Sequence, residues 1–234
     1  DLPPGKYDTI FLDYALADLI RFLGIYSFGA LAKQQGLSFM ADKMGKKVMG
    51  GNITMWDDGL DRRGLAVPFD AEGMPKKKVL IIDKGVASGV VYDVKTAAKD
   101  GVETTGHAGG RMAWRPGPAV GNMFLAEGDN SLEEMITSTK RGLLVTRFHY
   151  THCPDPTNVV ATGTTRDGTF LIEDGHLVAR VKNLRFTESM VEAFGRVESI
   201  SKSSRLTRDW WGDFSSVLPA VKVKDFTFTG ATSF

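Results

Sequence analysis

The sequence is poor in the residues that build disulfides and metal centres. It has one cysteine and four histidines among 234 residues. A single cysteine excludes an internal disulfide, which is typical of a cytoplasmic protein. Lys and Arg number 29 against 28 Asp and Glu, so the net charge of +1 gives no indication of nucleic acid or a membrane surface as a partner. No apolar run reaches the roughly 20 residues of a membrane span, and no signal-peptide pattern is present.

Two short basic runs, MGKK at 44–47 and PKKK at 75–78, stand beside turn residues. We interpret both as solvated turns rather than phosphate-binding tracks. The chain opens with DLPPGKYDTIFLD and lacks an initiator Met, so a Pro-Pro-Gly turn leads directly into an apolar strand. We therefore expect a piece of a longer protein, cut at a linker, whose N-terminal domain is absent.

The first third of the chain has both strand and helix patterns. Residues 8–12 predict a strand, and residues 14–35 predict one helix that ends at Gly36. The apolar positions that share its helical period are Leu16, Leu19, Ile20, Leu23 and Leu31. NITMWDDG predicts a strand that ends in a turn, and KKVLIIDKGVASGVVYD predicts two short strands around a glycine turn.

Two short helices and a strand-rich half follow. VKTAAKDG predicts one or two helical turns, and Ser131 with Glu134 forms a capping-box pattern for a helix that Gly142 closes. LLVTRFHYTH, NVVATGTT, GTFLIEDG and HLVARVKNLRF predict strands, with RDG as the hairpin turn between the second and third. A helix is predicted after Thr187, and LPAVKVKDFTFTG predicts one or two final strands. This order predicts a single α+β domain with a curved mixed or antiparallel sheet, or a barrel-like core, and a few helices packed on it.

HYTHCPDPTN at 149–158 gathers ligand types that zinc prefers. In a regular strand His149 and His152 point to opposite faces, and His149 and Cys153 are about 13 Å apart. Zinc bonds are about 2.0–2.3 Å long, so this extended pair does not chelate one ion. The two prolines keep the segment extended. We favour a strand end running into a loop, and His149 with Cys153 remains the weaker alternative for a metal site.

HAGGRMAWRPGPAVGN, beginning at His107, is the other candidate for chemistry. Its arginines, Arg111 and Arg115, have planar forks suited to carboxylates, and its glycines allow close approach of a substrate backbone. His107, Arg111 and Arg115 are thus candidate substrate-binding residues. The alternative is an exposed connection whose arginines contact only water. The chain has no serine elbow and no known glycine-rich phosphate loop.

The order of several segments resembles the C-terminal domain of the TldD/PmbA (TldE) family, also labelled modulator of DNA gyrase. The segments are SFMADKMGKKVMGGNITMWDDG, GMPKKKVLIIDKGVASGVVYDVKTAAKDG, NMFLAEGDNSLEEMITSTKRGLLVTRF, TRDGTFLIEDGHLVARVKNLRFTESM and LPAVKVKDFTFTG. The resemblance covers nearly all of residues 1–234 and implies a metalloprotease-related protein that acts on unstructured peptides.

The resemblance also implies where a metal helix would lie. The TldD branch carries a His-Glu-x-x-x-His helix before the SF…G.KV segment, and this helix falls on RFLGIY here. Arg21 and Tyr26 then occupy the histidine positions and Phe22 the glutamate position. Arginine stays protonated and cannot ligate zinc, and phenylalanine is no general base. The chain has no His-Glu pair anywhere, and its terminal RDWWGDFSSVLP lacks the family's late cysteine.

These departures place the chain nearest the metal-free PmbA/TldE branch. The resemblance implies a subunit without a catalytic residue or a zinc cofactor of its own, paired with a zinc-bearing TldD-like subunit or with itself as a dimer. Unstructured peptide is the expected substrate, and neither nucleic acid nor a membrane is an expected partner. Two alternatives stay open, namely a stand-alone peptide-binding module, and an active metalloprotease whose ligands are not recognisable in this sequence.

Overall fold

A computed structural model describes residues 1–109, 116–208 and 214–231. Its strands are β1 (Gly5–Phe11), β2 (Met55–Asp57), β3 (Val79–Asp83), β4 (Val86–Ala87), β5 (Asn122–Leu125), β6 (Arg141–Asp155), β7 (Val160–Glu173), β8 (His176–Arg180), β9 (Leu184–Ser189), β10 (Val197–Arg208) and β11 (Ser215–Ala231). Its helices are α1 (Asp13–Ser27), α2 (Ala30–Gln34), α3 (Val94–Asp100), α4 (Leu132–Thr137) and α5 (Met190–Gly195). The predicted α+β class is confirmed.

Five strands close a ring, which confirms the predicted barrel-like core. The order is β1-β6-β7-β9-β11, and β11 pairs back with β1. β1 is parallel to β6 and antiparallel to β11. The ring encloses aromatic side chains: Phe226 lies 4.8 Å from Phe11 and 5.4 Å from Phe228, and Phe148 lies 4.5 Å from Phe186 between ring centroids. Closure leaves the ring strands without a free edge between them.

A second sheet segment extends from the ring. The first residues of β11 pair in parallel with β5, and β5-β2-β3-β4 continue from there. Helix α1 packs against β6, β10 and β11 and buries Leu16, Leu19, Ile20 and Leu23 in the core. One face of α1 therefore belongs to the core, and the opposite face is left for the site described below.

Several local predictions are confirmed. β1 covers residues 8–11 of the predicted strand, and β3 and β4 flank the turn at Lys84 and Gly85. α3 ends at Gly101 in the left-handed conformation, and α5 follows Thr187 as predicted. The capping box of α4 is complete: Glu134 N donates to Ser131 Oγ and Ser131 N donates to Glu134 Oε2.

The predicted single helix over 14–35 is wrong. α1 ends at Ser27, and Gly29 leaves the helix to pair with Val91 as an isolated parallel bridge. A Cβ on Gly29 would collide with the carbonyl oxygen of Pro118, so the close approach of that backbone requires glycine. α2 then resumes and stops before Gly36, whose φ of +69° confirms the predicted end.

Two turn assignments are also wrong. RDG does not form a hairpin, because β7 runs through it; Asp167 and Gly168 take positive φ inside the strand and act as a bulge. Gly142 does not close a helix. It lies in β6, and α4 has already ended at Thr137. In both cases pairing with distant strands overrides the local turn signal.

The sequence patterns missed β5 and β10. β5 is only four residues long, and β10 is rich in Ser, Lys and Arg, so neither shows a clear alternation. Pairing with β11 holds both in place. Among the described residues, none of the helices has the length and apolarity needed to cross a membrane.

Candidate functional site

A cavity of about 570 Å³ lies between α1, α2 and two connections, whose described parts are 59–76 and 108–109 together with 116–122. This volume falls within the range of roughly 300–1,000 Å³ that is typical of ligand sites. Most lining side chains are apolar. Leu65, Val67 and Phe69 stand on its rim with 43%, 51% and 59% of their surface exposed, so the entrance is an open apolar surface.

Helix α1 contributes Arg21, Gly24 and Ile25 to the cavity wall. Positions separated by three and four residues share one helix face, which explains why these three line the wall together. Of the residues placed at the degenerate metal-helix positions, only Arg21 lines the cavity. Phe22 is buried, and its ring stacks on Tyr26 with 6.3 Å between centroids.

Asn122 holds the turn at the cavity entrance in shape. Its Nδ2 donates to the carbonyl oxygens of Asp58 at 2.8 Å and Asp61 at 3.2 Å. Its Oδ1 accepts from Leu65 N at 3.2 Å and from Ser215 Oγ at 2.7 Å. Because one buried side chain uses both its donor and acceptor groups, Asn122 fixes the connection against β11 rather than reaching for a ligand.

Asp57 and His107 form a buried pair behind the wall. Asp57 Oδ2 accepts from the backbone N–H of Gly121 at 2.7 Å and of Asn122 at 2.9 Å. His107 Nε2 lies 2.8 Å from Asp57 Oδ1, and its Nδ1 lies 2.8 Å from the carbonyl oxygen of Thr105. Each ring nitrogen thus faces an acceptor. The pair connects the end of β2, at Asp57, to the chain around His107 and around Gly121.

Asp70 and Lys76 are the charged wall residues opposite α1. The Asp70 carboxylate accepts from the backbone N–H of Glu72 and Met74, each at 2.9 Å, and of Ala108 at 2.8 Å. These bonds order the connection and occupy both carboxylate oxygens. Lys76 is half-buried and lines the cavity, and its ammonium group lies beside another lining residue, Gly121.

The turn beside the entrance carries an exposed ion pair. Arg63 Nη2 donates to Asp61 Oδ2 at 2.6 Å, and the Arg63 guanidinium lies 5.1 Å from the centre of the Phe124 ring. The hydrogen bonds from Arg63 lower the pKa of the Asp61 carboxyl below its usual range, although slight burial opposes this. The pair orders the turn but does not line the cavity.

Of the three residues predicted to bind substrate, the structure describes His107. His107 is fully buried behind the wall and is not a lining residue. Its contact with substrate stays a prediction, and its buried ring does not support that contact. Arg111 and Arg115 lie outside the described residues. Gly109 and Pro116, the described residues on either side of them, both line the cavity.

The segment 149–153 lies elsewhere, in β6. The strand continues to Asp155, as the extended reading predicts, but Tyr150 has a φ of +54° and the pairing shifts register between His149 and His152. This bulge removes the regular alternation from which opposite faces were predicted. Cys153 Sγ donates to the Asp155 carbonyl oxygen at 3.4 Å. Within the ranges 1–109, 116–208 and 214–231, no three His, Cys, Asp or Glu side chains are grouped to hold a metal ion.

Asp57, Asp70, Lys76 and Asn122 were missed as site residues by sequence reasoning. The interpretation of PKKK as a solvated turn holds for Lys77 and Lys78, which are exposed, but is wrong for Lys76. The only available signal was position: Asp57 ends a predicted strand before a turn, where functional side chains often stand.

The described wall has an apolar surface, backbone from several glycines and three charged side chains, Arg21, Asp70 and Lys76. Both carboxylate oxygens of Asp70 accept from backbone N–H groups. The arrangement fits an extended apolar chain that carries a negative group.

Comparison with known proteins gives a family match and similar solved structures. The family described as PmbA/TldA metallopeptidase C-terminal domain matches residues 4–230. The crystal structure of TldE from Thermococcus kodakarensis superposes with a TM-score of 0.86 and 24% identity, covering 98% of this chain and 51% of that one. This likeness concerns the fold.

Two relatives come from one organism, Haemophilus influenzae. A metalloprotease TldD homolog is 27% identical over 72% of this chain and 35% of its own length. A metalloprotease PmbA homolog is 30% identical over 62% of this chain and 32% of its own length. Three further curated relatives are matched over 31%, 40% and 48% of their length, so the chain spans less than half of them.

Proposed function

The chain belongs to the PmbA/TldA metallopeptidase family, and from this premise we propose that it is the PmbA/TldE-like subunit of a peptide-processing metalloprotease. In this proposal it binds unstructured peptide and does not cut it. A TldD-like subunit supplies the zinc and the catalytic base. The occurrence of TldD and PmbA homologs in one organism supports a partner of that kind.

One observation carries the proposal: the helix that lines the cavity has no metal-binding chemistry on its cavity face. Arg21, Gly24 and Ile25 form that face. A guanidinium stays protonated, and neither glycine nor isoleucine has a side-chain donor atom for zinc. The same helix is where the resemblance locates the family's metal ligands. This absence of zinc ligands from the described cavity face of α1 supports a binding role rather than a cutting role for this chain.

The apolar rim supports peptide as the ligand class. Leu65, Val67 and Phe69 are exposed and line the cavity. Several exposed apolar side chains at one site are typical of a binding surface. An unfolded peptide offers apolar side chains and a free backbone, whereas a folded protein hides both. This explains a preference for unstructured chains.

Reconstitution tests the proposal. The full chain, a TldD-like protein from the same organism, and their mixture are each incubated with an unstructured peptide, and cleavage is followed by mass spectrometry. We expect cleavage by the mixture to exceed the sum of the separate reactions, and the two chains to co-elute. Cleavage by this chain alone would contradict the proposal. Peptide binding without any effect on the partner would favour the stand-alone module.

A further inference from the structure

Lys76 is a cation in the cavity wall. Within the described part of the chain, Lys76 Nζ makes no hydrogen bond or ion pair. Its neighbours differ: Lys77 Nζ pairs with Glu103 at 2.7 Å, and Lys78 Nζ lies 4.9 Å from the centre of the Trp56 ring. A half-buried ammonium beside apolar surface gains stability when an anion joins it.

The rest of Lys76 is held in place. Its backbone N–H donates to the Pro68 carbonyl oxygen at 3.0 Å. A Cβ on Gly59 would collide with Lys76 Cδ, and a Cβ on Gly121 would lie 3.8 Å from Nζ. The aliphatic stem therefore lies against Gly59 and the ammonium group stands beside Gly121. This arrangement limits the conformational entropy that Lys76 loses on binding.

Among the described residues, Asp70 and Asp57 do not neutralise this cation. Asp70 uses both carboxylate oxygens for three backbone N–H groups. Asp57 lies behind Gly121 and accepts from two backbone N–H groups and from His107. Neither forms an ion pair with Lys76 among the described contacts. Lys76 therefore gives this part of an apolar cavity wall a positive charge.

Building on the proposed function, we infer that Lys76 binds the terminal carboxylate of peptides whose last side chain is apolar. A C-terminal residue of this kind presents a carboxylate and an apolar side chain on the same α-carbon. The ammonium group and the apolar wall of this cavity are complementary to both. An acidic side chain also presents a carboxylate. The α-carbon of an Asp or Glu residue, however, carries no apolar side chain in addition.

Binding of matched peptides to the full chain tests this inference by fluorescence anisotropy. Three labelled hexapeptides ending in leucine are compared: the free acid, the C-terminal amide, and an amide with one internal Glu. Each is measured with the wild type, Lys76→Met, Lys76→Arg and Lys77→Met. Lys77→Met removes the same charge one residue away, outside the cavity. Thermal unfolding confirms that each variant is folded, and Lys76→Gln replaces Lys76→Met if the latter is not.

We expect the wild type to bind the free acid about tenfold more tightly than the amide, as for one charge-assisted hydrogen bond. Lys76→Met should lose this preference, while Lys76→Arg and Lys77→Met should keep it. Equal binding of acid and amide by the wild type would overturn the inference and leave peptide binding intact. Tight binding of the internal-Glu amide, dependent on Lys76, would overturn the terminal carboxylate in favour of an acidic side chain. Absence of binding for all three peptides would contradict the proposed function itself.

Discussion

His107 Nε2 lies 2.8 Å from Asp57 Oδ1, and neither side chain has exposed surface. The pair joins two connections that build the cavity wall. Removal of one partner leaves the other buried without its complement, which is the costly way to break such a pair. The pair is therefore a requirement for the cavity's shape as well as for stability.

Replacing Asp57 with Ala is expected to lower the free energy of unfolding by about 3–5 kcal/mol, because His107 and the N–H groups of Gly121 and Asn122 lose their acceptor. Urea unfolding measures the change. Asp42→Ala, at an exposed aspartate, is the control and should change stability by less than about 0.5 kcal/mol. Equal effects of the two substitutions would contradict a structural role for the pair.

Leu19→Ala is expected to destabilise the chain by about 2–5 kcal/mol, because Leu19 is 1% exposed and its loss leaves a cavity in the core under α1. Denaturant unfolding tests this. Tyr14 lies on the same helix with 49% exposure, and Tyr14→Ala should cost far less. A change below about 0.5 kcal/mol for Leu19→Ala would place that face outside the core.

Glu198 gives stability that depends on pH. The ammonium group of Lys222, buried and 2.8 Å away, lowers the pKa of the Glu198 carboxyl by its hydrogen bond, while partial burial acts in the opposite direction. Because the folded pKa is lowered, this contribution is present above the unfolded value of roughly 4.3 and is lost as pH falls through the folded pKa.

Glu198→Gln should therefore be less stable than wild type at pH 7, and the difference should shrink when the pH falls below about 4. Urea unfolding at several pH values measures both curves. Glu127→Gln, at an exposed glutamate, serves as the matched control and should follow the wild type. A difference that stays constant down to pH 3 would show that the charge of Glu198 is not its cause.

Purified chain is expected to hold no stoichiometric zinc, because the positions matching the metal helix are Arg21, Phe22 and Tyr26. Elemental analysis after dialysis measures the metal content. A value of about one zinc per chain would contradict this expectation and direct attention to His149 and Cys153. A TldD-like partner analysed in parallel should contain zinc.

The double substitution of Arg111 and Arg115 with Ala is expected to reduce peptide cleavage severalfold by the complex with an active partner, without changing stability. The reason is that both arginines stand in the sequence between the wall residues Gly109 and Pro116, and that a guanidinium group suits carboxylates. Cleavage rate and thermal unfolding are measured together. Wild-type cleavage at unchanged stability would leave these arginines without a substrate role.

The sequence by itself determined several local features. Ser131 and Glu134 form their capping box within one helical turn, and Gly101 ends α3 without help from the rest of the chain. The apolar period of α1 assigned Leu16, Leu19, Ile20 and Leu23 to the core. These features depend on neighbours three or four residues away, so a linear pattern contains them.

The tertiary structure alone decided the site. The sequence does not distinguish Lys76 from Lys77 and Lys78, yet only Lys76 lines the cavity. The break at Gly29 depends on Pro118, and the order of the entrance depends on Asn122, which binds a turn that ends 57 residues earlier. These outcomes rest on steric contact and hydrogen bonding between segments that are distant in the sequence. A local sequence pattern does not encode such contacts, because only the folding of the chain brings the partners together.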